Sequence, residues 1–282
     1  MRLQNLLDFP GVPAFLGILA AFLGMIPPSA LAQPVKLEDL IKGHLESIGP
    51  AESRRTVENL VISGTGSITC QRGCLGSIQG PATVASAMGK RLIAMKFNNV
   101  SYPGERFLFN GKSVEVARLS RAQYSVLGLF FFDNRIFMGE GLLGGTLTQG
   151  WPLLDLEGRK PRLIRYQGLR EIENRRLHDV EFRPRGGGSD FTVHLYFEPD
   201  TYRHVITRYS TALSGLADDT LPHQIVERFS DFLVEGGLTL PHGYEMQFEG
   251  PGAMLQWRMR LTRFEANLKI DPAMFDVSFG TK

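Results

Sequence analysis

Residues 243 to 264 carry the clearest alternation in the chain. Tyr244, Met246 and Phe248 alternate with Glu245, Gln247 and Glu249; after Gly250, Pro251 and Gly252, the residues Leu255, Trp257, Met259 and Leu261 alternate with Gln256, Arg258, Arg260 and Thr262. A period of two on both sides of a glycine-rich turn predicts a β-hairpin with one apolar and one charged face. That apolar face either packs on helices as a core or lines a cavity for an apolar guest.

The same period recurs along the chain. Strand-like runs stand at "LVISGTGSI", "RLIAMKF", "RFLFNG" and "SVEVARL", with the last two joined at Asn110-Gly111, a turn dipeptide. Further runs are "PRLIRYQG", "RLHDVEFRP", "FTVHLYFEP", "HVITRYST" and the stretch "HQIVERFSDFLVEGGLTLP". The links "RGGGS" and "EPDT" have turn chemistry. Strands every ten to fifteen residues, with no helices alternating between them, predict one large antiparallel sheet.

Two segments break this rhythm. In "VKLEDLIKGHLESIG", Leu37, Leu40, Ile41, Leu45 and Ile48 fall at helical spacing, Glu38, Asp39, Lys42 and Glu46 lie opposite, and Gly49 is a stop. Residues 121 to 156 are dense in Phe, Leu and Gly without a clean period and predict short helices punctuated by glycines. This segment is either packed core or a flap whose glycines at 128, 139, 141, 144, 145 and 150 let it move over a cavity. Both readings place it against the sheet.

The first residues bear on the compartment. Arg2 precedes the apolar run "AFLGILAAFLGMI", and Ala30 and Ala32 supply an A-x-A pattern, so residues 1 to 32 read as a secretory signal peptide cut after Ala32. The run is too short for a membrane span of about 20 apolar residues, and Pro13, Pro27 and Pro28 close it at both ends. No cysteine follows the cut to carry a lipid anchor. The expected product, residues 33 to 282, is a single exported, periplasmic domain.

Charge and cysteine narrow the chemistry. The formal net charge is +2, with bases scattered among acids, which speaks against a nucleic-acid partner. The two cysteines, Cys70 and Cys74 in "TCQRGCLG", are spaced for a local disulfide staple outside the cytosol. Metal binding would want further ligands at short spacing, and a redox pair the CxxC spacing; neither is present.

No G-x-S-x-G, H-E-x-x-H or P-loop occurs, so no enzyme is indicated. His44 reads as a solvated or capping residue on the margin of the first helix, and His178 and His194 as satisfied sheet residues. His223 and His242, each beside a proline, read as turn positions that with Asp231 would hold a metal only if the fold brought them together. The acids Asp190, Asp218 and Asp219 fall in Gly/Ser-rich loops and read as solvated charges.

The order of "IKGHLESIG", "GTGSI", "ERFLFNGKSVEV", "LYFEPDTYRHVITRYS", "FSDFLVEGGLTLPHGYEM" and "FEANLKIDPAMFD" resembles the LolA-like superfamily, the periplasmic lipoprotein carriers and outer-membrane lipoprotein-sorting proteins. The resemblance spans nearly the whole segment after residue 32. It implies a mainly β, α+β fold: a curved antiparallel sheet forming an unclosed β-barrel over a few helices, with an apolar cavity between them. The cavity would be lined by Phe97, Phe107, Phe109, Phe131, Phe137, Leu142, Trp151, Leu195, Phe197, Met246, Phe248, Trp257 and Met259. "CQRGC" and the Phe/Gly-rich segment depart from the pattern of those carriers.

Three functions follow as expectations. The first is a monomeric carrier or binding protein for an acyl-chain lipid or lipoprotein, needing no cofactor and meeting envelope membrane proteins. The second is a structural or sensor module whose sheet is filled by its own side chains. A hydrolase is the third.

Overall fold

The structure, a computed structural model, describes residues 35–72, 76–118, 120, 123–156, 161, 163–186, 191–211, 223–250 and 253–276. The signal segment, Cys74, Asp190, Asp218 and Asp219 lie outside the described residues.

Two short helices open the described chain, α1 (Leu37–Ile48) and α2 (Ala51–Thr56). Five strands follow: β1 (Asn59–Arg72), β2 (Gly76–Ala87), β3 (Lys90–Lys96), β4 (Gly104–Phe109) and β5 (Val114–Val116). The Phe/Gly-rich segment then forms α3 (Val126–Asp133), α4 (Ile136–Gly139) and two 3-10 turns, Gly145–Leu147 and Pro152–Asp155. The remaining strands are β6 (Leu163–Ile172), β7 (Arg175–Arg183), β8 (Phe191–Phe197), β9 (His204–Thr211), β10 (His223–Glu235), β11 (Leu238–Gly250) and β12 (Ala253–Ala266), and a 3-10 turn at Pro272–Phe275 follows.

All twelve strands form one antiparallel sheet in the order β5-β4-β3-β2-β1-β12-β11-β10-β9-β8-β7-β6. It consists of two meanders, β1 to β5 and β6 to β12, joined where the first strand pairs with the last. Among the described residues the outermost strands β5 and β6 do not pair, so the sheet is open. The unclosed antiparallel sheet over a few helices is the architecture expected from the sequence. The hairpin expected over residues 243 to 264 forms, with Tyr244 opposite Met259 and Met246 opposite Trp257.

The sheet curls round its contents. Strands β4 and β9 are seven places apart, which on a flat sheet would be roughly 34 Å at about 4.8 Å per strand. Yet the Phe131 ring of α3 lies 5.2 Å from Phe107 of β4 and 6.3 Å from Tyr209 of β9. One ring touches both strands only if the sheet wraps around it.

What it wraps around is largely the Phe/Gly-rich segment. This segment links the two free edges, from β5 to β6, and its shortest route crosses the concave face. Its Leu127, Phe130, Phe131, Phe137, Leu142, Leu147 and Trp151 join Leu40 and Ile48 of α1 and inward side chains of ten strands in one continuous core. On the convex face, Ile270, Met274 and Phe275 of the C-terminal segment cover Ala85, Ala87, Leu92 and Leu108.

Backbone crowding fixes some glycines. A Cβ on Gly80 would lie 1.9 Å from the Lys96 carbonyl oxygen, and one on Gly64, beside a register shift in β1, 2.0 Å from that of Arg260. Neither position has room for a side chain.

Candidate ligand-binding site

Twelve of the thirteen side chains expected at a cavity are buried, and they fall in the single concave core: Phe97, Phe107, Phe131, Phe137, Leu142, Trp151, Leu195, Phe197, Met246, Phe248, Trp257 and Met259. Phe109 is half-buried at the edge of the core, beneath the Arg91 guanidinium at 4.4 Å. Phe131, Phe137, Leu142 and Trp151 belong to segment 123–156 itself, which occupies the concave face presented by the other eight buried residues.

Polar groups that sequence reasoning missed tie this segment to its surroundings. Glu227 of β10 is fully buried and accepts from the Gly144 backbone N–H at 2.8 Å, the Tyr209 hydroxyl at 2.5 Å and the Tyr244 hydroxyl. Burial pushes its carboxyl up to about 7, and the phenols of Tyr209 and Tyr244 are raised by burial and by the neighbouring carboxylate. On the opposite side of the core, Tyr102 donates to the Glu105 carboxyl and accepts from Trp257 Nε1 at 2.7 Å. Glu105 is also buried and is pushed up to about 7 by that burial.

The bonds of Tyr102 to Glu105 and Trp257 lie outside segment 123–156, and a second anchor of that segment joins it to helix and sheet. Trp151 Nε1 donates to His44 Nε2 at 3.0 Å, and His44 Nδ1 lies 3.1 Å from the Tyr202 carbonyl oxygen. Since a carbonyl only accepts and the indole N–H only donates, His44 is neutral with its proton on Nδ1. Burial holds it down to about 4. Trp151 also stacks on the buried His204 ring at 4.6 Å, and His204 Nε2 lies 3.0 Å from the Ile206 carbonyl oxygen. Arg91 of β3 donates to the Met138 and Gly139 carbonyls at 2.7 and 2.9 Å, and Gln149 donates from its backbone N–H to Ser86 Oγ at 3.1 Å and from its amide to the Val57 carbonyl.

Several histidine assignments change. His44 is not on a solvated margin; it occupies the inward stripe Leu40, His44, Ile48. His242 is no turn residue, since it lies within β11 against the Phe264 ring at 4.4 Å, and His223 begins β10. His178 and His194 are the satisfied sheet residues expected, bonded to the Tyr166 hydroxyl at 2.8 Å and to Asp179 at 2.7 Å. Among the described residues no group of three or more His, Cys, Asp or Glu side chains is placed to hold a metal ion. Cys70 is disulfide-bonded, and Cys74 is the only other cysteine in the sequence.

Open space lies beside the core. A groove of about 710 Å³ runs along α1 and α2, with Ile41, Leu45, Pro50, Ala51 and Leu156 as its apolar lining and Glu38, Lys42, Glu46 and Arg54 as its charged groups. Arg54, whose Nε donates to the Gly49 carbonyl at 3.0 Å, also lines a cleft of about 40 Å³. That cleft is walled by Ile48, Leu60, Leu238, Leu240 and, from the Phe/Gly-rich segment, Thr146, Thr148 and Leu154. Groove and cleft thus meet at one arginine. A separate groove of about 440 Å³ lies between β5 and α3–α4, and Phe109 lines it.

No protein-family model matches the sequence, and no curated protein matches it. Among solved structures, a LolA superfamily protein from Nitrosomonas europaea is similar at 12% identity, with 86% of this chain and 98% of that one covered and a TM-score of 0.49. The chain resembles LolA superfamily structures. A domain provisionally named an outer membrane lipoprotein-sorting protein, from Vibrio parahaemolyticus, is similar at 10% identity over 84% and 97% of the two chains, with a TM-score of 0.45. A DUF1329 family protein from Desulfovibrio piger follows at 12% identity over 86% and 97%, with a TM-score of 0.40. What the grooves and buried anchors do rests on their own residues.

Proposed function

We propose that the chain is an exported, periplasmic binding protein, monomeric and non-enzymatic, that holds an acyl-chain ligand, a lipid or the lipid moiety of a lipoprotein. The observation that carries this reading is the groove of about 710 Å³ with an apolar floor and a charged rim. Its volume lies within the ~300–1,000 Å³ usual for ligand sites, and each CH2 removed from water there is worth ~0.8 kcal/mol. Arg54, shared with the inner cleft, is the charge an anionic headgroup would meet.

The sheet side chains among the thirteen residues predicted at the cavity are the second part of this reading. They receive the distal part of the chain when segment 123–156 shifts. Positive φ at Gly141, Gly144 and Gly145, 82°, 82° and 49°, gives that segment joints. Envelope membrane proteins are the partners from which such a ligand would come and to which it would pass.

Fluorescent fatty acid uptake by wild type and by Ile41→Glu tests the proposal. Ile41 is half-buried and lines the groove. An at least tenfold weaker uptake with an unchanged melting curve is expected; equal uptake would remove the groove from the mechanism. The filled concave face favours a second reading, a structural or sensor module with no guest. A clean apo mass in native mass spectrometry, together with no fatty acid uptake by wild type, would select it.

A further inference from the structure

Large aliphatic side chains stand in solvent at one end of the barrel. Met88, in the β2–β3 turn, is 77% exposed; Leu233 and Val234, at the β10–β11 turn, are 55% and 72% exposed; Leu268, just past β12, is 40% exposed. The described chain has other exposed apolar residues, Val100 in the β3–β4 connection, Leu169 on β6, and Val126 and Leu129 on α3, but these are scattered.

Hydrogen bonds and close approaches gather the first group around α2. Asn59 pairs with Ala87, the residue before Met88, and it exchanges two bonds of 2.9 Å with the backbone of Leu268. Asn267 Nδ2 donates to the Thr56 carbonyl at the end of α2. Near the start of α2, Ser53 Oγ lies 3.1 Å from where a Cβ on Gly237 would be, and the Gly237 carbonyl is 2.7 Å from where one on Gly49 would be. The Met88 turn, Leu268 and the Val234 turn therefore flank one short helix.

Met88 is costly where it stands. It holds φ of +50° ahead of Gly89 at +76°, a two-residue hairpin turn that suits Asn or Gly. A long thioether side chain there strains the backbone and gains nothing from burial. Folding does not account for it, whereas a surface that takes up exposed apolar tips does.

Cations stand among these tips: Arg54 and Arg55 on α2, Lys90 after the Met88 turn, and Lys269 after Leu268. The acids in the same stretches are Glu52, Glu58, Glu235 and Asp271; Glu235 is engaged by His242 at 3.2 Å, and Asp271 accepts from the Ala273 backbone N–H at 2.9 Å. Aliphatic tips interleaved with cations match an anionic bilayer surface, with chains below and phosphates above. Gly49, Pro50, Ala51 and Arg54 of the large groove belong to this same end.

We propose that this end of the barrel docks on an anionic lipid surface, inserting Met88, Val234 and Leu268 below the headgroups while Arg55, Lys90 and Lys269 meet the phosphates. Docked in this way, the mouth of the α1 groove lies at the bilayer. The docking stands on its own observations; its purpose, delivery of an acyl chain to the groove, rests on the function proposed above.

The test uses the chain expressed from its full sequence and vesicles of phosphatidylglycerol and phosphatidylethanolamine with brominated acyl chains. The two native tryptophans, Trp151 and Trp257, are buried, so a new indole reports on its own surroundings. Val234→Trp is expected to show blue-shifted emission and quenching on vesicle addition, and Val100→Trp, in the β3–β4 connection past the far end of β3, to show neither. The double variant Met88→Asp/Val234→Asp is expected to lose at least tenfold in the vesicle-dependent fraction of binding, with its melting curve unchanged. No quenching at position 234, equal quenching at position 100, or binding that salt abolishes and the two aspartates leave untouched would each overturn the docking. Insertion at position 234 by a protein that takes up no fatty acid would sustain the docking and reject the acyl-chain reading.

Discussion

Glu227→Gln should make stability depend on pH in a way the wild type does not share. In the folded protein burial raises this carboxyl from 4.5 to about 7. The folded state therefore holds the proton more tightly than the unfolded chain, and stability is lost as pH rises from the ordinary carboxylate value through about 7. At about 1.4 kcal/mol per pKa unit, the loss between pH 5 and pH 8 is about 2.5 kcal/mol. Glutamine cannot ionise and keeps the shape: its carbonyl accepts from Gly144 and Tyr244, and its amide donates to a turned Tyr209 hydroxyl. The quantity to measure is the difference between variant and wild type, because other groups also titrate. Glu105, raised to about 7, adds a loss of the same sign, while His44, held to about 4, and His204, held well below its ordinary value, destabilise the fold as pH falls below about 6.5. Urea unfolding followed by tryptophan fluorescence at pH 5, 6.5 and 8 gives that difference directly. It should move by about 2.5 kcal/mol in favour of the variant. A difference that stays constant across the three pH values would show that Glu227 is already ionised in the fold, and the burial account would be wrong.

Other substitutions probe the same interior. Trp151→Phe keeps the stacking on His204 but leaves buried His44 Nε2 without its donor, which should cost about 1–3 kcal/mol in thermal unfolding and raise the His44 pKa seen by NMR; an unchanged pKa would discount the bond. Gly80→Ala forces a Cβ onto the Lys96 carbonyl and should cost on the order of 4 kcal/mol, read as lost soluble yield; a normal melting curve would mean the β2–β3 pairing relaxes freely. Trp257→Glu buries a charge without a partner and deprives Tyr102 of its indole donor, so a folded protein is not expected; circular dichroism showing a folded variant would reveal space or solvent at that face.

The sheet was legible because its strands repeat at period two, and the α1 stripe because it repeats near 3.6. Less legible were residues whose type disagreed with their phase. His44 stands four residues from both Leu40 and Ile48, so the period placed it inward while its polarity suggested the margin. Glu227 shares its face with Ile225 and Phe229, and Glu105 with Phe107 and Phe109, so each acid sits at an apolar phase. An acid or histidine in the apolar phase of an otherwise regular element is the signal that would have found all three. Helix α2 carries no such signal, since none of its residues is buried. His242 was misread because Pro241 suggested a turn; the strand instead accommodates the proline opposite Phe232, next to Asp231 at φ +55°.

The path of segment 123–156 follows from the sheet's topology. Two meanders that share the β1–β12 pair leave β5 and β6 at opposite ends, and a chain going from one to the other must cross the concave face or go round it. A crossing made only of Phe, Leu and Met would be held by non-directional contact alone. Here it is also held at defined points by Glu227 on Gly144, His44 on Trp151 and Arg91 on the end of α4. Directional bonds of this kind fix where the segment lies, and a buried bond whose partner is removed costs more than the intact bond contributes. A shift of the crossing must therefore break a few discrete anchors, each assignable to a residue, rather than melt a diffuse core. That makes the occupied concave face compatible with a binding role: uptake from the α1 side would be limited by a few such bonds, and weakening one of them should speed loading where a filled, guest-free module would only lose stability.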